Sequence, residues 1–182
     1  MARSMHGPAR MGTAKRTDKM INVLDLLTDQ HTEVDKLIAK LEKGTGNAAA
    51  VFQELADKVA AHATVEEKVF YPAVMSAKTQ DLLNESVEEH LEIKRLLADM
   101  MELDPDSDSF EAKLSVLKEN ISHHAHEEEE DKLFPMLRKQ MSSDKLAAIG
   151  NQVLAMFEEL LPKHPAQNIP NETAEAARLP QP

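Results

Sequence analysis

His62-Ala63-Thr64-Val65-Glu66-Glu67-Lys68-Val69-Phe70-Tyr71-Pro72 closes an apolar stripe that Phe52, Leu55 and Val59 begin. The spacing is that of one helix face, and it reaches Val69 before an aromatic–proline break. Residues four apart on a helix project from the same side, one turn apart, so His62 and Glu66 offer a nitrogen and an oxygen to one point. A second stretch repeats the pattern. Leu117 and Ile121 stand seven and three positions before His124, Glu128 stands four after it, and Phe134-Pro135 makes the break. The two stretches read as internal counterparts on two helices of one core.

Working outward, Leu24, Leu27, His31, Val34, Leu37, Ile38 and Leu41 form an earlier stripe that stops at Gly44-Thr45-Gly46, after which Asn47 can cap the next helix. Between the two counterparts, Leu83, Val87, His90, Ile93 or Lys94, Leu97 and Met101 form another stripe, closed by Asp104-Pro105-Asp106. After Ser142-Ser143 a shorter helix carries Leu146, Ile149, Val153, Met156, Phe157 and Leu160. Four long helices with short connections predict an all-α, up-down-up-down four-helix bundle with a shorter C-terminal fifth helix. The bundle is expected over residues 20–162. A basic, disordered arm is expected over 1–19, and a disordered tail over 163–182, where Pro165, Pro170, Pro180 and Pro182 recur.

Composition agrees. Aromatic residues are only 3% of the chain, with one Tyr and no Trp, which favours packed helices over sheets. The net charge of -11 hides an uneven spread: beyond residue 19 there are 16 basic against 31 acidic residues. A body that acidic repels phosphate backbones, so no nucleic-acid partner is expected. The absence of cysteine excludes disulfides, thiolate-bound zinc and iron–sulfur clusters, and suits a reducing, cytoplasmic setting. No stretch approaches the ~20 apolar residues of a membrane span.

Four helices therefore each turn a histidine inward, at His31, His62, His90 and His124, and two of them add a carboxylate, Glu66 and Glu128. A single histidine on an apolar face is more often a hydrogen-bonded core residue than a ligand. Six such groups are different, because a dry interior makes each costly unless it is paired or metal-bound, and one shared site satisfies them together. Four imidazoles and two carboxylates suit two metal ions. Ligation by nitrogen and oxygen without sulfur favours iron or manganese, with zinc as the alternative.

The fourth helix leaves a choice of register. The run Glu127–Glu130 gives His123, His124 and His126 each a glutamate four residues on. At about 100° per residue, Leu114, Leu117, Ile121, His124 and Glu128 fall within about 80° of arc, which selects His124 and Glu128. Yet His62 precedes Pro72 by ten residues and His124 precedes Pro135 by eleven. A one-residue insertion or bulge after Glu128 reconciles the counts, and Glu129 is then the residue that would displace Glu128. Glu67 and Glu129 otherwise read as exposed neighbours, and Asp35 as a flanking charge. Met75, Met100, Met101, Met136 and Met156 read as core filler, and His6 and His164 as residues without a role.

From Leu24 to Leu137 the chain resembles the hemerythrin-like, HHE cation-binding domains. The matching stretches are Asp25-Leu-Leu-Thr-Asp-Gln-His31, His62 to Pro72, Glu89-His90-Leu-Glu-Ile-Lys94, and His124-Ala-His-Glu-Glu128 leading to Leu133-Phe-Pro135. The resemblance implies a non-haem di-iron centre that meets oxygen, nitric oxide or peroxide, with Glu66 and Glu128 bridging the metals and the histidines holding them. Oxygen carriers of this type have a fifth histidine where this chain has Lys94, so the four-histidine subgroup is the better match. The implied role is iron handling or oxidative or nitrosative stress. A peroxide-decomposing enzyme is the chief alternative, and a metal-free structural bundle the plain one.

Overall fold

The structure is a computed structural model that describes residues 21–182. The expected basic arm, 1–19, and His6 lie outside the described residues. Helix α1 (Val23–Glu42) starts under the side chain of Asn22, which accepts a hydrogen bond from the Leu24 amide at 2.9 Å. It ends in the glycine turn, where Gly46 takes φ +91°, a left-handed value that a β-carbon disfavours. The second rod is α2 (Ala48–Val65), capped by Asn47, continued by a π-helical turn π1 (Glu66–Phe70) and by α3 (Tyr71–Val74). The third is α4 (Gln80–Met101). The fourth is α5 (Asp108–Ser122), capped by Ser107, then π2 (His123–Leu133) and α6 (Phe134–Gln140). Together they make the expected up-down-up-down bundle, and α7 (Ser143–Leu160) is the shorter fifth helix.

Helix α7 packs on α1 and α2. Its Gly150 lies so close to the start of the bundle that a β-carbon there would come within 2.1 Å of the Ile21 carbonyl oxygen. The apolar interior is in two parts. One, with Leu24, Leu27, Phe70, Leu83, Phe134 and Val153, lies towards α7. The other, with Leu37, Leu55, Leu97, Phe110 and Leu117, lies towards the glycine turn. Between them runs a buried polar band that contains His31, His62, Glu66, His90, His124 and Glu129. No described helix is long and apolar enough to cross a membrane.

The two proline breaks do not end their helices. They follow π-helical turns, in which the Tyr71 amide donates to Glu66 and the Phe134 amide to Glu129, five residues back in each case. Each such widened turn absorbs an extra residue. The stretch in the fourth rod is 11 residues against 5 in the second, and this houses the additional residue between His124 and Pro135.

The tail corrects an expectation. Rather than being disordered from 163 on, the chain makes a 3-10 turn at Leu161–Lys163 and a longer 3-10 segment at Pro165–Glu172. Ala166 and Ile169 of that segment are buried in the core. Proline prevents a regular helix but not packing, and two apolar side chains three residues apart suffice to seat a 3-10 turn.

Candidate metal centre

The four histidines meet as two pairs. His31 Nε2 lies 3.2 Å from His62 Nε2, and His90 Nε2 lies 3.0 Å from His124 Nε2. Every opposite ring nitrogen is held by an outer acceptor. His31 Nδ1 is 2.7 Å from Glu130, His62 Nδ1 is 2.8 Å from Gln30, His90 Nδ1 is 3.0 Å from Glu67, and His124 Nδ1 is 2.8 Å from Glu89. An acceptor at Nδ1 places the ring proton there and turns the Nε2 lone pair inward.

Glu66 stands between the pairs. Its Oε1 is 3.1 Å from His62 Nε2, and its Oε2 is 3.2 Å from His90 Nε2 and 3.9 Å from His124 Nε2. The second inner carboxylate is Glu129, whose Oε2 is 3.3 Å from His31 Nε2. His31, His62, Glu66 and Glu129 thus form one group of donor atoms, and Glu66, His90 and His124 another, each spanning no more than 4.8 Å.

Glu128 is not in either group. It is buried, but its side chain pairs with Lys132 and lies 3.7 Å from the half-exposed His123. The reason is the helix type. His62 to Glu66 is one turn of α-helix, so four residues bring the carboxylate back under the ring. His124 to Glu129 lies inside π2, where one turn takes five residues. Of the other candidates, His123 is exposed and paired with Glu127, and His126 is half-buried and paired with Asp35. Lys94 is buried, with its ammonium on both oxygens of Glu67 at 2.9 and 3.0 Å and on Glu172 at 3.0 Å.

The residues missed from the sequence are those one step from a ligand. Gln30 and Glu89 immediately precede His31 and His90, and Glu67 and Glu130 immediately follow Glu66 and Glu129. Each holds the histidine of a different rod, which a pattern along one helix cannot display. Tyr71 was also missed. Its hydroxyl, fully buried, donates towards Glu129 at 3.0 Å and Glu66 at 3.3 Å, and its ring stacks on His90.

The electrostatics are those of an anionic cage. Burial works against charge on His31 and His124, yet contacts with Glu129 and Glu130 raise His31 to about 9, and contacts with Glu66 and Glu89 raise His124 to about 10. Burial likewise opposes ionisation of Glu66, but its contacts with His62, His124 and His90 hold it well below the usual carboxylate range, while burial pushes His62 itself down. Burial, then Glu129 and Glu66, push the Tyr71 hydroxyl well above its ordinary value, so it stays protonated. The cage draws positive charge to its centre.

Cations suit this centre on the evidence of its own atoms. Glu66 Oε1 and Glu129 Oε2 are buried without a well-aligned hydrogen-bond donor. Unpaired buried carboxylate oxygens are costly, and a bound cation between facing lone pairs satisfies them together with the imidazoles.

The hemerythrin HHE cation-binding domain profile matches residues 22–137. The chain belongs to this family. As an HHE cation-binding domain it is also similar in fold to the crystal structure of a hemerythrin HHE cation-binding domain-containing protein from Mycobacterium kansasii. That likeness has a TM-score of 0.68 at 20% identity, over 79% of this chain and 89% of the other. A protein named DNA nickase, from Nostoc sp. strain PCC 7120, is 27% identical over 142 residues, which are 76% of this chain. The HHE chain spans only 40% of that relative's length. Family and cluster together point to metal binding.

Proposed function

We propose that the chain is a non-haem di-iron protein that binds or reacts with oxygen, nitric oxide or peroxide in iron handling or in oxidative or nitrosative stress. One observation carries the reading: four Nε2 atoms face one another in pairs, each oriented by an acceptor at Nδ1, around two buried carboxylates with unsatisfied oxygens. His31, His62 and Glu129 would hold one iron, His90 and His124 the other, with Glu66 shared. Ligation by nitrogen and oxygen without sulfur suits iron or manganese, with zinc as the alternative, and the hemerythrin family favours iron among them. Iron, when bound, supplies the electrons that a small oxidant takes up.

The chain's own residues do the rest. Gln30, Glu67, Glu89 and Glu130 fix ring orientation and raise imidazole basicity. Tyr71 holds a proton at Oη within hydrogen-bond reach of both inner carboxylates. Lys94, standing where oxygen carriers have a fifth histidine, has its nitrogen engaged by Glu67 and Glu172. A proton source beside the centre and one ligand fewer favour turnover over storage, which supports a peroxide-decomposing enzyme as the second reading.

Neither DNA nor membrane enters the proposal, and we place the protein in the cytoplasm. The DNA nickase is much longer than this chain, and the acidic excess beyond residue 19 opposes a phosphate backbone. Protein expressed in iron-replete medium is expected to carry two irons per chain. Its reduced form is expected to oxidise in air and to change its visible spectrum with nitric oxide or peroxide. Absence of metal would overturn the reading, and an oxygen adduct that persists for minutes and leaves under vacuum would overturn the preference for turnover.

A further inference from the structure

Helices α2 and α4 scarcely touch each other, and the segment Pro165–Glu172 packs against both, filling the cleft between them. Beneath it lies a cavity of about 30 Å³. The four histidines form one side of it, and Val34, Val59, Ile93, Leu97 and Ile121 much of the rest, with Ile169 from the segment as a wall. The segment lies well beyond residues 22–137, the part that the family profile matches.

A water-sized molecule needs roughly 10–15 Å³ of such space. The cavity therefore holds about two non-hydrogen atoms, the size of a diatomic. Apart from the histidines and Lys94, whose ammonium is held by Glu67 and Glu172, its side chains are apolar, so a polar guest would lose hydrogen bonds there that a neutral diatomic never makes.

The segment is held at both ends. Asp57, buried on α2, accepts from the Ala166 amide at 3.1 Å and pairs with His164 at 2.9 Å. His164, expected to be idle, takes φ +51° to make that corner. At the other end Glu172 pairs with Lys94 at 3.0 Å, and Arg95 Nε donates to the Thr173 carbonyl at 3.0 Å.

We propose that Pro165–Glu172 is a strap that gates the ligand cavity, with Ile169 setting the size of the molecule admitted and the Asp57 and Glu172 contacts holding the strap shut. The centre is then reached when the strap lifts from the cleft between α2 and α4. Ile169 is the residue that discriminates a diatomic from anything longer. The gating of iron ligands rests on the di-iron reading, whereas the cavity wall and its fastenings do not.

The test uses the full-length protein and the variants Asp57→Ala, Glu172→Gln and Ile169→Ala, none of which is a proposed metal ligand. Hydrogen exchange across 165–172 should speed up about tenfold in the first two variants, as expected for an opening that loses a charge-assisted hydrogen bond, while α1 and α5 stay protected. In the iron-loaded protein the association rate of nitric oxide should rise by a similar factor. Ile169→Ala should admit thiocyanate, a three-atom linear anion, that the unchanged protein excludes. It should also bind xenon more tightly by 129Xe NMR, a readout that needs no iron. Faster strap exchange with an unchanged nitric oxide rate would overturn the gate, since entry would then lie elsewhere. Unchanged exchange in both fastening variants, or unchanged xenon binding in Ile169→Ala, would overturn the strap itself. Failure of the protein to take up iron would sink the di-iron reading, with the exchange and xenon results still deciding the strap.

Discussion

The second and fourth rods are two solutions to one problem. Each sends a histidine and a glutamate to the centre, and each then reaches an aromatic–proline pair through a π-helical turn. The outer acceptors follow the same two-fold relation: Gln30 with His62 corresponds to Glu89 with His124, and Glu67 with His90 to Glu130 with His31. Apart from the amide of Gln30 standing where the other half has the carboxylate of Glu89, the halves differ in three places. The fourth rod spends five residues between its ligands where the second spends four. Tyr71, bonded to the carboxylates, corresponds to Phe134, which only stacks on His31 at 6.2 Å. Four residues after its histidine, α4 has buried Lys94 and α1 has exposed Asp35. Framework is shared between the halves, and the chemistry lies in what is not shared: one proton donor and one cation, both beside His90.

The largest effects should come from the shared carboxylate. Glu66→Gln is expected to abolish binding of both metals, Glu129→Gln to cost one, and Glu128→Gln to leave the content unchanged. Iron analysis with zinc as a control reads this directly. Loss of metal in Glu128→Gln with retention in Glu129→Gln would restore the α-helical register and break the comparison.

Metal removal comes next. A ligand present at a thousand times its dissociation constant stabilises by about 4 kcal/mol, and a domain of this size loses about 2–4 °C per kcal/mol, so chelation should lower Tm by about 10 °C. In the metal-free protein, His31 and His124 have raised values, so their contribution to stability is fully present below the ordinary 6.5. It is lost as pH climbs through about 9 and 10. Cations must displace those protons, and metal uptake near neutral pH should release about two protons per chain, measurable in two buffers by calorimetry.

Deleting Glu127 should make the halves alike. It leaves Glu129 four residues after His124 and Pro135 ten after it, the counts seen from His62 to Glu66 and Pro72. Metal content is expected to survive while π2 shortens, which a crystal structure of the deletion would record; loss of metal would show that the widened turn is needed for more than register. The smallest effect is expected from Tyr71→Phe, which makes the two aromatic positions equal. Removing the hydroxyl should cost about 1 kcal/mol of stability with metal retained. Reaction of the reduced protein with peroxide should slow at the same time, and an unchanged rate in stopped-flow would remove Tyr71 from proton supply.

By itself the sequence determined that the chain is a helical bundle and that four rods turn His31, His62, His90 and His124 inward beside Glu66. Those features rest on a period of 3.6 residues, which is local and repeats from turn to turn. It also held the discrepancy of ten against eleven residues before the prolines, the only trace of the wider turn. Which carboxylate completes the centre was decided by the tertiary structure, because the wider turn carries Glu129 rather than Glu128 to its partners His31 and Tyr71 on other rods. The same holds for Gln30, Glu67, Glu89, Glu130 and Tyr71, whose partners on other rods are 19 to 99 residues away along the chain. It holds too for the tail, whose prolines read as disorder until the cleft between α2 and α4 offers Ala166 and Ile169 a place to be buried. A helix's face is set by its own backbone, whereas a contact between distant segments exists only once the packed chain has brought them together.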